Sequence, residues 1–451
     1  MATGMEAAAR SERDLIEEIP GEEGLPIVGN TLRLLKDPSK FGQEMVDKYG
    51  LTYRTKSFGF RNVQMLGPDA NEFILMDRDQ NFSSETGWNK FLERLFPRGL
   101  MLLDFDHHRA HRKILQAAFK PAPMKGYTRR LGEVVAPEVD AWAEKGQFLF
   151  YPAIKQLTLD TAANVFLGLD SDQQDKKVNK ALTDMVLAAV GLFRAPLPFT
   201  AMKRGVDGRK YMIKYLTKLI KERRGKDYDD MFTHICNATD DDGNSFTDQE
   251  IIDHMNFMWM AAHDTITSSV TTLVYELGRN RDWQQKLREE IEGLELDGGL
   301  LPYEKLGDLP LLEMAFKEAL RINPPVPGVP RTAVRDITYK NYRIPKGTHV
   351  SISPIFTHRM EEIWPEPEKF DPMRFTPEEV RKRHKYAWVP FGGGAHMCLG
   401  LHFAYMQAKV IMAHLLPRYD IVLDEGYSTT FQVIPLMKPA DGLPITLKKL
   451  S

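Results

Sequence analysis

The sequence predicts a mainly α-helical fold that carries a small β-rich subdomain, and three observations support that prediction. Between about Asp104 and Arg321 apolar residues recur every three or four positions, the period of an amphipathic helix. Inside that span, one stretch runs from a turn signal at Asp242-Gly243 to Gly278 with no intervening proline or glycine. After Arg331 the pattern changes to alternating residues punctuated by Pro345 and Gly347, in "DITYKNYRIPKGTHVSISP".

The elements follow in chain order. Residues 1–30 read as an arm that ends in the Pro/Gly-rich "IPGEEGLPIVGN". "DPSKFGQEMVDKYG" has helical spacing, and "LTYRTKSFGF" and "NVQMLG" read as strands, the second with Val63, Met65 and Leu66 as its apolar residues. Residues roughly 50–80 and 331–370 together make up the expected β-rich subdomain. The long helical stretch has a marked start, because Thr247 and Glu250 stand in capping-box register. At 1.5 Å per residue it spans roughly 45 Å, enough to cross the whole protein. "LHFAYMQAKVIMAHLLPRY" is a further amphipathic helix near the end. With no internal repeat and no low-complexity linker, residues 1–451 read as one domain, expected to be a monomer.

Composition narrows the functional classes. Lys plus Arg number 60 against 62 for Asp plus Glu, a net charge of −2, so no bulk attraction to nucleic acid is implied. The two cysteines, Cys236 and Cys398, cannot form a disulfide framework, and a reducing, cytoplasmic setting is expected. The N-terminus has no apolar run long enough for a signal peptide or a span of about 20 residues, so no integral membrane anchor is expected. Cys236, in "FTHICNATD", reads as a small buried hydrophobe.

Cys398 is different because of its setting in "FGGGAHMCLG", Phe391 to Gly400. Glycine runs are costly in conformational entropy and suit places where backbone must approach something closely. A thiol binds metal only as thiolate, a charge that burial opposes and that a metal or backbone N–H groups can offset. Gly392, Gly393, Gly394 and Gly400 would let the chain fold tightly around the sulfur.

This stretch resembles the cysteine loop of the cytochrome P450 superfamily, with Phe391, Gly394, His396, Cys398 and Gly400 at the family's intervals. The resemblance extends from "FGQEMVDKYG" to "LPITLK" and implies the cytochrome P450 fold, with a large helical domain built on a long central helix. It implies haem b as cofactor and Cys398 as the proximal thiolate on its iron, donating electron density that favours O–O cleavage. His396 stands where the family more often has arginine, and is implied to contact a haem propionate.

Other residues gain meaning from that resemblance. "EALR" places Glu318 and Arg321 three apart on a helical face, and Arg374 in "FDPMRF" matches the position that completes a structural Glu–Arg–Arg network. "HHRAHRK" offers His108 and Arg112, and "GVPR" offers Arg331, as implied propionate ligands. His107 and His111, four apart, have a rival reading as zinc ligands, with no third ligand at a recognisable spacing. In "WMAAHDTITSSVTT" the polar Asp264 and Thr265 interrupt an apolar stretch and precede β-branched residues, a local conflict of the sort expected at a functional site. The pair resembles the family's acid-threonine motif, with Ala262 in place of the usual glycine and His263 at the variable position. The implied roles are catalytic: Thr265 steadies bound oxygen and Asp264 relays protons. The competing structural readings are a Thr265 hydroxyl bonded back to its own helix and an Asp264 paired with a basic residue. Ala261, Phe391 and Gly392 complete the residues expected to contact haem.

The implied activity is a monooxygenase that inserts one atom of O2 into a lipophilic substrate. Met258, Ala261, Ala262, Val326, Val329, Leu436, Met437, Trp88, Phe91 and Phe96 are expected to line a dry pocket. "YRIPKGTHVSISPIFTHR", "PEPEKFDPMRF" and "FRAPLPFTAMKRGVDGRKYM" resemble the soluble branch near sterol demethylases and retinoid or carotenoid hydroxylases, which implies a terpenoid, steroid or other long hydrophobic substrate. Electrons from NAD(P)H would come through a ferredoxin or flavodoxin with its reductase, docking near the basic run Arg381–Lys385 and near Arg109 and Lys113. A solvated surface loop is the competing reading of that run. The alternatives for the whole chain are a peroxide-using or rearranging haem-thiolate enzyme, and a haem-binding carrier or sensor that turns nothing over.

Overall fold

The computed structural model describes residues 16–169, 176–189, 191, 193–433 and 436–450, so the expected N-terminal arm is described only from residue 16. Helix dominates. The long central helix runs from Asp248 to Arg279, 32 residues, about 48 Å by helical rise. Its start is the predicted capping box: Glu250 N–H donates to Thr247 Oγ1 at 3.3 Å, and Thr247 N–H donates to the Glu250 carboxylate at 2.8 Å. Through its middle this helix is buried on nearly every side, which is why polar side chains such as Thr267, Ser268 and Thr271 sit in it with almost no exposure. Several of them bond within the helix, Thr267 and Thr271 each donating to the carbonyl four residues earlier.

The helix Phe150–Leu167 packs along the central helix, and the two are pinned by a buried hydroxyl bridge between Thr158 and Thr267 at 2.7 Å. The helix Leu401–Leu415, which follows the cysteine loop, packs on Pro121–Ala143 and on the central helix. One continuous apolar core joins these helices, and smaller clusters lie under the sheet.

The main sheet has six strands in the spatial order Gly21–Glu22, Thr52–Ser57, Phe60–Met65, His349–Ile352, Val329–Ala333, Phe82–Ser83. Thr52–Ser57 and Phe60–Met65 form a hairpin, and Phe60–Met65 runs parallel to His349–Ile352 with Val63 opposite Val350. The hairpin Ile337–Tyr339 with Tyr342–Ile344 stands apart as its own two-stranded sheet. This sheet positions function directly: Val329–Ala333 carries Arg331 toward the molecule's interior, where it is 6% exposed. Among the described residues, no helix is long and apolar enough to cross a membrane.

Candidate active site

The cysteine loop is held at both ends by backbone hydrogen bonds. At its entrance Val389 N–H donates to the buried His358 Nε2 at 2.9 Å, and farther on Cys398 N–H donates to the Phe391 carbonyl at 2.9 Å. Between them Gly394 adopts φ +60°, and a Cβ there would stand 1.9 Å from the Leu75 carbonyl oxygen, so only glycine fits. Gly392 also has positive φ, at +69°. Gly400 differs from expectation: its φ of −87° suits any residue and the space around it is open. Its contribution is the N–H directed at the Cys398 sulfur. Burial raises the thiol pKa, while that N–H and the Arg112 charge lower it. The sulfur's exposed surface faces the interior cavity, whose wall it forms. Cys236 is a buried core thiol pushed up to about 12 by burial, in line with its sequence reading.

Beside Cys398 lies a group of cationic and imidazole side chains. His108 and Arg112 sit one turn apart on the helix Phe105–Leu115, Arg331 enters from the sheet, and His396 comes from the cysteine loop with its ring 3.9 Å from that of His108. Burial, then the Arg112 and Arg331 charges, hold His108 down to about 4; burial and the same neighbours hold His396 down to about 2. Burial also brings Arg331 down to about 10, and its one described hydrogen bond goes to the carbonyl of Pro330. The nearest acids are already committed. Asp104 accepts from Ser83, Ser84 and Glu85, and Asp77 accepts from the backbone N–H groups of Asn81 and Phe82. Among the described residues neither Arg112 nor Arg331 has a carboxylate within ion-pair distance, an imbalance that is costly in a buried place. A haem fits it: propionates would satisfy Arg112, Arg331, His108 and His396, and Cys398 would hold the iron.

The opposite wall is the central helix, which presents Ala261, Ala262, Asp264 and Thr265 to the same cavity. Both structural readings of the motif are visible. Thr265 Oγ1 donates to the Ala261 carbonyl at 2.6 Å. Asp264 Oδ1 accepts from Lys155 Nζ at 2.9 Å and lies 3.2 Å from His263 Nδ1. Burial pushes the Asp264 carboxyl up, but His263 and Lys155 outweigh it and bring it down to about 2. Lys155 was not found from the sequence, because it lies on another helix with nothing in its local pattern to mark it.

The cavity has a volume of about 1100 Å³ and also takes in Met258, Val326, Val329, Trp88, Phe91 and Leu436. Phe96 and Met437 are corrections to the expected lining. Phe96 turns into the helical core just past the helix Ser84–Leu92, at 1% exposure. Met437, just before the strand Lys438–Pro439, is likewise buried outside the cavity lining, also at 1%.

The predicted structural network is present. Arg321 donates to both Glu318 oxygens at 2.7 and 2.8 Å, Asp371 N–H adds a bond at 3.0 Å, and Arg374 Nε lies 3.4 Å away. The basic run is less free than its sequence suggests. Lys382 pairs with Glu378 and Glu379, Arg383 folds over Trp364, Arg109 pairs with Asp106, and Lys113 pairs with Asp241. His111 is also engaged: its Nδ1 lies 2.8 Å from His254 Nε2, and its Nε2 lies 3.5 Å from Glu250.

Cys398, the Asp264–Thr265 segment of the central helix and the cations beside them thus border one cavity, an arrangement that a haem held through a cysteine thiolate would fit. The family model for cytochrome P450 matches residues 19–442, and the chain belongs to that family. It is similar to the putative cytochrome P450 136 of Mycobacterium tuberculosis, 38% identical over 96% of this chain and 89% of the relative. It is similar also to the taxane 10-beta-hydroxylase of Taxus cuspidata, 29% identical over 97% of this chain and 91% of the relative. Among solved structures it matches a retinoic acid-bound cyanobacterial CYP120A1 with a TM-score of 0.88 and 30% identity, covering 96% of this chain and 99% of that one. The protein is therefore a cytochrome P450 monooxygenase with haem-thiolate chemistry.

Proposed function

We propose that the substrate is a long lipophilic molecule of terpenoid, steroid or retinoid type, hydroxylated or epoxidised at a carbon brought over the haem. The observation that carries this reading is the cavity of about 1100 Å³, whose wall away from Cys398 is built largely from Met258, Ala261, Val326, Val329, Phe91 and Leu436. The names of two similar proteins point the same way, one a taxane hydroxylase and the other bound to retinoic acid.

Thiolate-ligated haem, when bound, supplies dioxygen activation. In this reading Cys398 supplies the thiolate, and Phe391, Gly392 and Gly394 shape the loop that carries it. The apolar wall excludes water from the substrate. Thr265 has its hydroxyl proton committed to Ala261, so it presents oxygen lone pairs to the cavity and accepts hydrogen bonds there. Asp264 supplies a carboxylate next to it from which protons reach the cavity. Electrons originate from NAD(P)H and arrive through a separate ferredoxin or flavodoxin and its reductase in the cytoplasm. The exposed Arg381 and Lys385 support this, since no carboxylate neutralises either among the described residues.

The test has two stages. Reduced wild-type protein under carbon monoxide should show the red-shifted Soret band of thiolate ligation, and Cys398→Ser should lose it; an identical spectrum in the variant would overturn the ligand assignment. A panel of diterpenoid, steroid and retinoid compounds should then displace water from the ferric haem, seen as a high-spin shift. A response confined to small polar compounds would overturn the substrate class.

A further inference from the structure

The ring of His263 is enclosed by two hydrogen-bond acceptors. Its Nε2 lies 3.1 Å from the Lys155 carbonyl oxygen, and its Nδ1 lies 3.2 Å from Asp264 Oδ1. A carbonyl oxygen has no proton to give, so Nε2 must carry one. A neutral imidazole protonated at Nε2 turns a lone pair toward Asp264, whose ionised carboxylate can only accept. The contact therefore requires one more proton, shared between Nδ1 and Oδ1. Both side chains are buried, His263 at 4% exposure and Asp264 at 6%, so bulk water does not relieve the mismatch. Lys155 already donates to the same Oδ1, at 2.9 Å, which favours the ionised carboxylate and places the extra proton on the ring.

We propose that His263 is a positioning residue for the monooxygenase reaction: as an imidazolium it clamps Asp264 jointly with Lys155 and holds one transferable proton beside Thr265. The proposal rests on the monooxygenase reading for its purpose and on hydrogen-bond geometry for its content. Transfer breaks the Nδ1–H bond and forms Oδ1–H, leaving a neutral imidazole still bonded through Nε2 and a neutral carboxylic acid on the cavity wall. Lys155, whose side chain is 29% exposed, is the link through which solvent restores the ring proton. Two cations on one carboxylate make the store labile, because the group carries one positive charge more than it can pair internally. Beyond Asp264 and Lys155, the titratable group acting on this cluster among the described residues is Tyr151 of the facing helix, whose phenol is held up to about 12 by burial and by the Asp264 charge.

The readout that does not depend on turnover is nitrogen NMR of the diamagnetic ferrous carbonmonoxy protein, labelled with ring-15N histidine. One histidine, identified by its loss in His263→Gln, should show two protonated ring nitrogens in the folded protein, as its two facing acceptors require. A pyridine-type nitrogen on that residue there would overturn the proposal. Lys155→Met leaves the Asp264 carboxylate to the ring alone, so the Nδ1 proton resonance should shift while both ring nitrogens stay protonated; an unchanged resonance would overturn the joint clamp. With substrate and redox partner, His263→Gln should lower product formed per NAD(P)H several-fold and enlarge the solvent deuterium isotope effect. Equal coupling and an equal isotope effect in the variant would also overturn it. Failure of the monooxygenase reading itself would appear separately, as absence of the thiolate Soret band or of any product, and would leave the NMR result intact.

Discussion

Single side chains divide the site into parts that bind, parts that move protons and parts that hold shape. Thr265→Ala removes the acceptor beside Asp264 while leaving the haem cradle untouched, so NAD(P)H consumption should continue while product falls roughly tenfold or more. Peroxide-driven turnover of the same variant should stay near wild type; an equal loss with both oxidants would show that Thr265 acts through packing. Glu318 is the contrasting case, at 0% exposure with Arg321, Arg374 and the Asp371 N–H all directed at it. Glu318→Gln leaves the buried Arg321 unpaired and should cost about 3–5 kcal/mol in chemical denaturation. An effect under about 1 kcal/mol would mean that the His358 and Lys369 carbonyls, to which Arg321 also donates, already satisfy it. At this scale legibility followed chain proximity. Cys398, Gly392, Gly394 and His396 could be read because one short loop carries them, and Asp264 with Thr265 because their polarity broke an apolar helix. Lys155 lies 109 residues from Asp264, in a helix whose own pattern is satisfied without any function, so its role exists only once the chain is folded.

Among elements, the central helix was the most legible, because a long amphipathic run and its cap are local properties. The structure starts it one residue after Thr247 and continues it through Gly278. Thr247→Ala removes one half of the box and should cost about 1 kcal/mol in global stability, with faster hydrogen exchange confined to the first turn. A change in exchange near Asp264 would instead mean that the cap sets the register of the whole helix. Tertiary contacts support that start as well: Asp253 is held by Arg98 at 2.8 Å, and His254 meets His111 from the helix that also bears His108 and Arg112. Short strands were the least legible. Gly21–Glu22 and Phe82–Ser83 are defined by the strands beside them, Thr52–Ser57 and Val329–Ala333, and two residues are too few to show alternation. Gly400 shows the opposite limit, since its motif position was plain but its ordinary φ gives no backbone reason for glycine.

At the scale of the whole molecule, the cavity side of each segment could be read only in part. Phe91 and Phe96 are equally apolar neighbours, and folding sends one to the cavity and the other to the core. The same burial makes stability depend on pH. His358, at 0% exposure, accepts the Val389 N–H at the entrance to the cysteine loop, and burial with the Arg321 and Arg359 charges holds it down to about 3 from an ordinary 6.5. His254 is held down to about 3 by burial and by His111. A histidine kept neutral in the fold but free to protonate when unfolded contributes stability above 6.5, and that contribution is lost as pH falls toward the folded value. Asp264 has the same sign in a lower window, its contribution being full above 3.8 and lost as pH falls through about 2. Between the ordinary histidine value and about pH 4 each of these histidines contributes a slope of about 1.4 kcal/mol per pH unit, opposed in part by Glu276, whose carboxyl burial pushes up to about 7. Glutamine at 358 can still accept the Val389 N–H but does not titrate, so denaturation of His358→Gln across that interval should be shallower than wild type by about 1.4 kcal/mol per pH unit. Parallel pH profiles for the two proteins would mean that His358 protonates within the fold, and that the cysteine loop gives up its hydrogen bond before the molecule unfolds.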